Sequence, residues 1–114
     1  MAERRLFVIL PSYNEQENIE TLVNAWLSLD DAIAARGYLL RICPIDDGSR
    51  DQTRGIVERL SAADSRVAAL IHPHNMGLGA GLNTGLRHFL KDGSPGDAAV
   101  VMDADNTHDP KYVF

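Results

Sequence analysis

Four short apolar runs constrain the fold of this chain more than any other feature. They are continuous rather than alternating, which is typical of strands that are buried on both faces of a sheet. Amphipathic helical patterns lie between them, and this alternation predicts an α/β fold with an open, Rossmann-like parallel sheet in the order βαβαβαβ. The predicted strands are Leu6–Leu10, Leu39–Ile45, Val67–Ile71 and Ala98–Met102.

Three helices are predicted between these strands, with Asn14 and Asp51 as N-caps of the first two. Gly81 and Gly85, four residues apart, are expected to let the third helix pack closely on the sheet. Pro44 has no amide hydrogen, so the second strand is expected to have an irregular end or a missing hydrogen bond. The apolar residues expected to face the sheet are Ile19, Leu22, Val23, Trp26 and Leu27, then Ile56, Val57 and Leu60, then Leu82, Leu86, Phe89 and Leu90.

Composition excludes several classes of function. The formal net charge of −5 argues against nucleic acid as a partner, because binding phosphates requires a basic surface. The sequence contains no run of about 18 apolar residues of the kind that crosses a membrane. Cys43 is the single cysteine, which excludes an internal disulfide and fits a reducing cytoplasm. A buried, unreactive thiol is favoured over a nucleophile at that position.

A polar cluster follows each predicted strand. The four clusters read PSYNE, DDGSRDQT, HPHNMGLGAG and DADNTHDP, in chain order. In an open α/β sheet, ligands bind beyond the carboxyl ends of the strands, at the crevice where the strand order reverses. We therefore expect all four clusters to lie at one edge of the sheet.

The last cluster suggests a cation site. Asp103 and Asp105 are two residues apart, so both carboxylates can project to the same side of an extended segment. Carboxylate oxygens suit Mg²⁺ or Mn²⁺ rather than zinc, although a solvated turn is the simpler alternative. Glu15, Asp46 and Asp47 are expected to crowd the same crevice, where neighbouring carboxylates resist ionisation unless a cation joins them.

The first two clusters suggest recognition of a nucleobase. Tyr13 offers an aromatic face on which a base could stack. One of Asp46 and Asp47 is expected to cap the following turn, leaving the other to accept a hydrogen bond from a ring N–H. The dinucleotide pattern G-x-G-x-x-G fails in the third cluster, because Leu82 occupies the last glycine position.

Taken together, these motifs resemble the inverting family 2 glycosyltransferases with a GT-A fold, and within them the polyprenol-phosphate (dolichol-phosphate) mannose or glucose synthases. The resemblance covers essentially the whole chain, through LPSYNEQENI, IDDGSRDQT, HNMGLGAGLNTGL and MDADNTHDP in that order. It implies a GDP- or UDP-linked sugar as donor, Mg²⁺ or Mn²⁺ as cofactor, and a lipid phosphate at the membrane surface as acceptor. A cytoplasmic protein, peripheral to the membrane in its full length, would fit that role.

The same resemblance assigns roles to particular residues. Thr107 stands where some relatives have a metal-binding glutamine, so it is open whether this chain provides a third metal ligand. His74 stands where several relatives have a basic residue, so the contact to phosphate at that point is also open. By resemblance, Pro11, Tyr13 and Glu15 contact the nucleoside, Ile45 and Asp47 contact the base, Asp103, Ala104 and Asp105 hold the diphosphate, and Asp103 and Asp105 hold its metal.

Family members extend well past this length, so the resemblance implies that residues 1–114 are the nucleotide-sugar-binding part of a larger domain. The catalytic base is then expected beyond Phe114, and this chain alone is expected to bind donor without transferring sugar. An open flank at the fourth strand could drive self-association. Two alternatives are a non-catalytic nucleotide-sugar-binding module and a phosphoacceptor signalling domain. The latter needs an aspartate after the third strand, where this chain has His72.

Overall fold

The computed structural model describes residues 4–102, which form a four-stranded parallel sheet with helices on both faces. The predicted α/β fold is therefore confirmed. In chain order the elements are β1 (Arg4–Ser12), α1 (Ile19–Leu27), α2 (Asp30–Ala35), β2 (Tyr38–Asp46), α3 (Thr53–Ala63), β3 (Leu70–Ile71), α4 (Leu78–Asp92) and β4 (Ala98–Val101).

The strands lie in the order β3-β2-β1-β4. The chain moves outward from β1 through β2 to β3, and β4 then pairs with the opposite flank of β1. The strand order thus reverses at β1, so the carboxyl end of β1 borders the crevice where a ligand is expected. Within residues 4–102, β4 pairs on one side alone, which agrees with the expected open flank.

The sheet is most regular at its centre. β1 and β2 pair along nine residues, from Arg4 opposite Tyr38 to Ser12 opposite Asp46. β3 joins β2 by two residues, and an isolated bridge links Ile42 to Val67. The backbone hydrogen bonds of Ile42 are made on the side of β3. Residues two apart in a strand point the same way, so the backbone nitrogen of Pro44, which has no hydrogen, also faces β3. The missing bond expected at Pro44 is confirmed there, while β2 itself stays continuous.

One face of the sheet is covered by α1, α2 and α3. Trp26 and Leu22 of α1 and Val57 of α3 are fully buried, so the predicted faces of these two helices are confirmed. The short α2, which contributes Ile33 to the core, was not predicted because six residues carry too little periodicity. The buried cluster on this face comprises Leu6, Val8, Leu10, Ile19, Leu22, Val23, Trp26, Ile33, Leu40, Ile42, Val57, Leu60 and Val67.

The other face is covered by α4, which packs through glycines. A Cβ at Gly85 would lie 2.3 Å from Cγ2 of Ile9 and 3.0 Å from Cδ1 of Ile45, so the helix backbone rests directly on β1 and β2. The predicted close approach of the glycine pair is confirmed. The predicted face was wrong for Leu86 and Leu90, whose exposed fractions are 44% and 76%. Each of these leucines directly follows a position that faces the sheet. Because each residue turns a helix by about 100°, the leucines point away from the sheet.

Two predicted helix caps differ in detail. Asn14 is not the cap of α1, because that position is taken by Asn18, and Asn14 instead adopts a left-handed backbone with φ of 52°. Asp51 does satisfy the first turn of α3, since its Oδ1 accepts the backbone N–H of Thr53 at 2.9 Å and the Thr53 hydroxyl at 2.6 Å.

Cys43 is buried and carries no disulfide. Burial, together with the charge of Asp92, raises the pKa of its thiol to about 12. The thiol therefore stays protonated at neutral pH and acts as a small apolar group, as predicted. No helix among residues 4–102 has the length and apolar character to cross a membrane.

Candidate functional site

The polar segments that follow β1 and β2 are tied together by hydrogen bonds. The backbone N–H of Asp47 donates to the carbonyl of Ser12 at 2.8 Å. Asn14 donates its N–H to Oγ of Ser49 at 2.9 Å, and its Oδ1 accepts the N–H of Arg50 at 2.9 Å. These bonds explain the left-handed backbone of Asn14, and they hold the first two predicted clusters at one edge of the sheet.

Gly48 brings the third cluster to the same edge. Its φ is +69°, and a Cβ there would lie 2.2 Å from the carbonyl carbon of His74 and 2.4 Å from the nitrogen of Asn75. A side chain at this position would collide with backbone that cannot move aside, so glycine is required. The predicted convergence is confirmed for three of the four clusters.

Asp47 is the centre of this edge. Its Oδ1 accepts from Nδ1 of His72 at 2.8 Å and from the N–H of Met76 at 2.8 Å, and its Oδ2 accepts from the N–H of Gly77 at 2.9 Å. Nε2 of His72 lies 2.7 Å from Oγ1 of Thr84 on α4. The carboxylate therefore lies at the N-terminus of α4, where the helix dipole favours a negative charge.

These donors keep Asp47 ionised. Burial alone would raise the pKa of its carboxyl, but hydrogen bonds from His72, Met76 and Gly77 hold that pKa below its usual range. Within residues 4–102, hydrogen-bond donors rather than acidic groups contact the Asp47 carboxylate. The expected crowding of carboxylates also involves Asp103 and Asp105, which lie outside the described residues, so it stays a prediction. Among residues 4–102, no group of three histidines, cysteines or acidic residues could hold a metal ion.

Asp46 and Asp47 have different surroundings, as the sequence suggested. Asp46 caps the turn after β2, where its Oδ1 accepts the N–H of Ser49 at 3.3 Å. Its Oδ2 is buried and has no hydrogen-bond partner within the described part of the chain. Asp47, by contrast, lines a cavity.

That cavity, of about 220 Å³, lies between the end of β1 and the start of α4. Three of the predicted site residues line it, and Tyr13 forms a wall with 39% of its surface exposed. Sequence reasoning missed Asn75 and Leu78, although both lie in or next to the third cluster. The residues that line the cavity are Pro11, Ser12, Tyr13, Asp47, Asn75, Gly77, Leu78 and Gly81.

Two predicted site residues do not line the cavity. Glu15 lies beside it, where its N–H donates to Oγ1 of Thr53 at 2.8 Å and its Oε2 accepts from Nδ2 of Asn18 at 3.1 Å. The side chain of Ile45 is fully buried against Gly85. The side chain of Ile45 thus points toward α4 rather than into the cavity, and the placement of this residue at the base stays a prediction.

The remaining predicted site residues, Asp103, Ala104 and Asp105, lie outside the described residues, as does Thr107. The last described residue, Met102, donates its N–H to the carbonyl of Ile9 at 3.0 Å. The described chain thus ends beside β1, on the flank where the strand order reverses.

Comparison with known proteins adds independent information. The sequence model of the family described as Glycosyl transferase family 2 matches residues 7–113. The UDP-N-acetylglucosamine–dolichyl-phosphate N-acetylglucosaminyltransferase of Methanococcus voltae is 31% identical, over 96% of this chain and 45% of that protein. The polyprenol monophosphomannose synthase of Mycolicibacterium smegmatis is 33% identical, over 95% of this chain and 38% of that protein. The chain thus spans less than half the length of these curated relatives.

Solved structures show the same relationship. S. aureus TarS 1–349 in complex with UDP superposes with a TM-score of 0.67 at 26% identity, covering 89% of this chain and 27% of that one. Another crystal structure of S. aureus TarS gives a TM-score of 0.66 at 26% identity, covering 89% of this chain and 16% of that one.

Proposed function

Because the chain belongs to glycosyl transferase family 2 and has the GT-A fold, we propose that it serves sugar transfer from a nucleoside diphosphate to a polyprenyl phosphate. The cavity between β1 and α4 would hold the nucleoside. Of two relatives that match nearly the whole chain, one is named for dolichyl phosphate as its acceptor and the other for polyprenol monophosphomannose as its product. A structural neighbour was solved with UDP.

One observation carries this proposal: an aromatic wall and an ionised carboxylate line one cavity at the edge where the strand order reverses. Tyr13 provides a half-exposed ring on which a base can stack. Asp47, held as a carboxylate, provides an acceptor for a ring N–H. Cavities at this position of open α/β sheets are the usual ligand sites.

The metal is part of the proposal. Asp103 and Asp105 would hold Mg²⁺ or Mn²⁺, since two carboxylates separated by one residue are oxygen donors of the kind that these ions prefer. A bound divalent cation would supply positive charge that stabilises the leaving diphosphate. The nucleoside contacts, in contrast, would be made by residues at the carboxyl ends of β1 and β2 and around the start of α4.

The chemistry is a single in-line displacement. An oxygen of the acceptor phosphate forms a bond to the anomeric carbon while the bond from that carbon to the diphosphate oxygen breaks, and the electron pair leaves with the nucleoside diphosphate. Attack from the opposite side inverts the anomeric configuration. The described residues would contribute by fixing the nucleoside, because positioning of the reactants lowers the barrier.

Isothermal titration with UDP and with GDP, each with and without Mg²⁺, tests the proposal. Tyr13→Ala should weaken nucleotide binding roughly 5- to 150-fold, which is about 1–3 kcal/mol for loss of a stacked base. Leu90→Ala is the matched control, because Leu90 is 76% exposed and lies near the opposite end of α4. Asp105→Asn should remove most of the gain that Mg²⁺ provides. Tyr13→Ala binding as tightly as the parent would place the nucleotide elsewhere.

A further inference from the structure

The carboxylate of Asp47 has most of its acceptor capacity occupied. An ionised carboxylate offers about four acceptor positions, two on each oxygen. Oδ1 takes two donors, from His72 and Met76, and Oδ2 takes one, from Gly77. With the donors found within residues 4–102, one of the four acceptor positions of the Asp47 carboxylate stays open, and that position is on Oδ2.

His72 is itself held in one orientation. Its ring lies between Oδ1 of Asp47 at 2.8 Å and Oγ1 of Thr84 at 2.7 Å, and 7% of the residue is exposed. Because an ionised carboxylate only accepts, the neutral ring must carry its hydrogen on Nδ1, and Nε2 then accepts from the Thr84 hydroxyl. Thr84 thereby fixes His72, and His72 fills one of the two acceptor positions on Oδ1.

The number of open acceptor positions distinguishes between bases. Guanine presents a ring N–H beside an exocyclic amine, a pair of donors that matches the two oxygens of a carboxylate, whereas uracil presents a single ring N–H. We propose that His72, held by Thr84, is a positioning residue that sets base preference by closing Oδ1 of Asp47, so that the cavity selects uridine over guanosine nucleotides. Asn75 borders the same cavity and could donate to a uracil carbonyl. The inference rests on the proposed nucleotide site.

The test compares the affinities of UDP, CDP and GDP for the parent chain and two variants. The parent should bind UDP at least about tenfold more tightly than GDP, the ratio expected for one unmade hydrogen bond to a charged group. His72→Leu opens Oδ1 and should reduce that ratio to near one. His72→Asn can offer its amide N–H in place of Nδ1 and should retain most of the ratio. If both variants weaken UDP and GDP by the same factor, His72 is merely structural and the inference is overturned.

CDP separates this inference from the proposed function. Cytosine lacks the ring N–H, so equal binding of UDP and CDP by the parent would mean that Asp47 does not accept a ring N–H from the base, and the proposed contact would fail. If the parent prefers UDP over CDP but binds GDP as tightly as UDP, the proposed nucleotide site stands. The inference that the number of open acceptor positions on Asp47 selects the base is then overturned. Nitrogen-15 NMR of the parent gives a check without any variant: His72 should carry its hydrogen on Nδ1, and hydrogen on Nε2 would overturn the inference.

Discussion

The face of the sheet under α1 and α3 is filled by large apolar side chains, whereas under α4 the helix backbone comes directly against the strands at Gly85. On the first face, Trp26, Leu22 and Val57 are fully buried among strand residues. On the second, Gly85 places the α4 backbone against Ile9 and Ile45. Large side chains thus set the distance between the sheet and the helices on the α1 face. On the α4 face, the absence of a side chain at Gly85 sets that distance.

This difference separates scaffold from site. Close packing of α4 brings its N-terminus to the carboxyl ends of β1 and β2, where Met76 and Gly77 donate to Asp47. The cavity opens at that junction, beside Pro11 and Gly81. None of the residues that line this cavity belongs to α1, α2 or α3. Mutations on the α1 face should therefore reduce stability, and mutations at the start of α4 should change binding.

The largest effect is expected on the α1 face. Trp26→Ala removes a fully buried indole and should lower the free energy of unfolding by about 3–5 kcal/mol, measured by urea denaturation. Leu90→Ala, at an exposed position of α4, should change it by less than about 0.5 kcal/mol. Similar losses for the two variants would contradict the assignment of the core to the α1 face.

An intermediate effect is expected where α4 meets the sheet. Gly85→Ala places a methyl group 2.3 Å from Cγ2 of Ile9 and should cost about 1–3 kcal/mol through overpacking. Gly79→Ala is the matched control, because no atom lies within 4 Å of its added Cβ. Alanine there should be neutral or stabilising by up to about 1 kcal/mol, since it favours the helix. Equal stability of both variants would mean that α4 lies farther from the sheet.

The smallest effect concerns the charge of Asp47 and its dependence on pH. The pKa of this carboxyl is lowered in the folded state, so its contribution to stability is full above the ordinary aspartate pKa of about 3.9. That contribution disappears as pH falls through the lower folded pKa. Asp47→Asn should therefore lose less stability than the parent when pH is lowered from about 5 into this range. Asp51, Asp64 and Asp97, whose pKa values are also lowered, are common to both proteins and cancel in the difference. Parallel stability curves for the two proteins would contradict the hydrogen-bonded carboxylate.

Much of the fold could be predicted because it depends on local patterns. Continuous apolar runs located all four strands, and Pro44 correctly indicated where pairing with β3 breaks. The face of α4 could not be derived from apolar periodicity, since that method counts side chains and this helix packs where Gly85 has none. Leu86 and Leu90 therefore looked like core residues and are exposed.

The site was predictable in its strand-end residues and not in the partners that hold them. Tyr13 and Asp47 directly follow strands, and parallel strands bring such positions together. His72 and Thr84 lie 25 and 37 residues after Asp47 in the sequence, and no local pattern links them to it. Ile45 was placed at the base by resemblance alone, whereas the alternation of strand faces turns its side chain toward α4.

A titration of the nitrogen-15-labelled protein with UDP, followed by NMR, tests most directly that the two faces differ in function. The backbone amides of Tyr13, Asp47, Gly77 and Gly81, around the cavity, should shift progressively with UDP concentration. The indole N–H of Trp26, buried on the opposite face, should stay unchanged in the same samples. Shifts confined to the α1 face, or none around the cavity at millimolar UDP, would contradict the account.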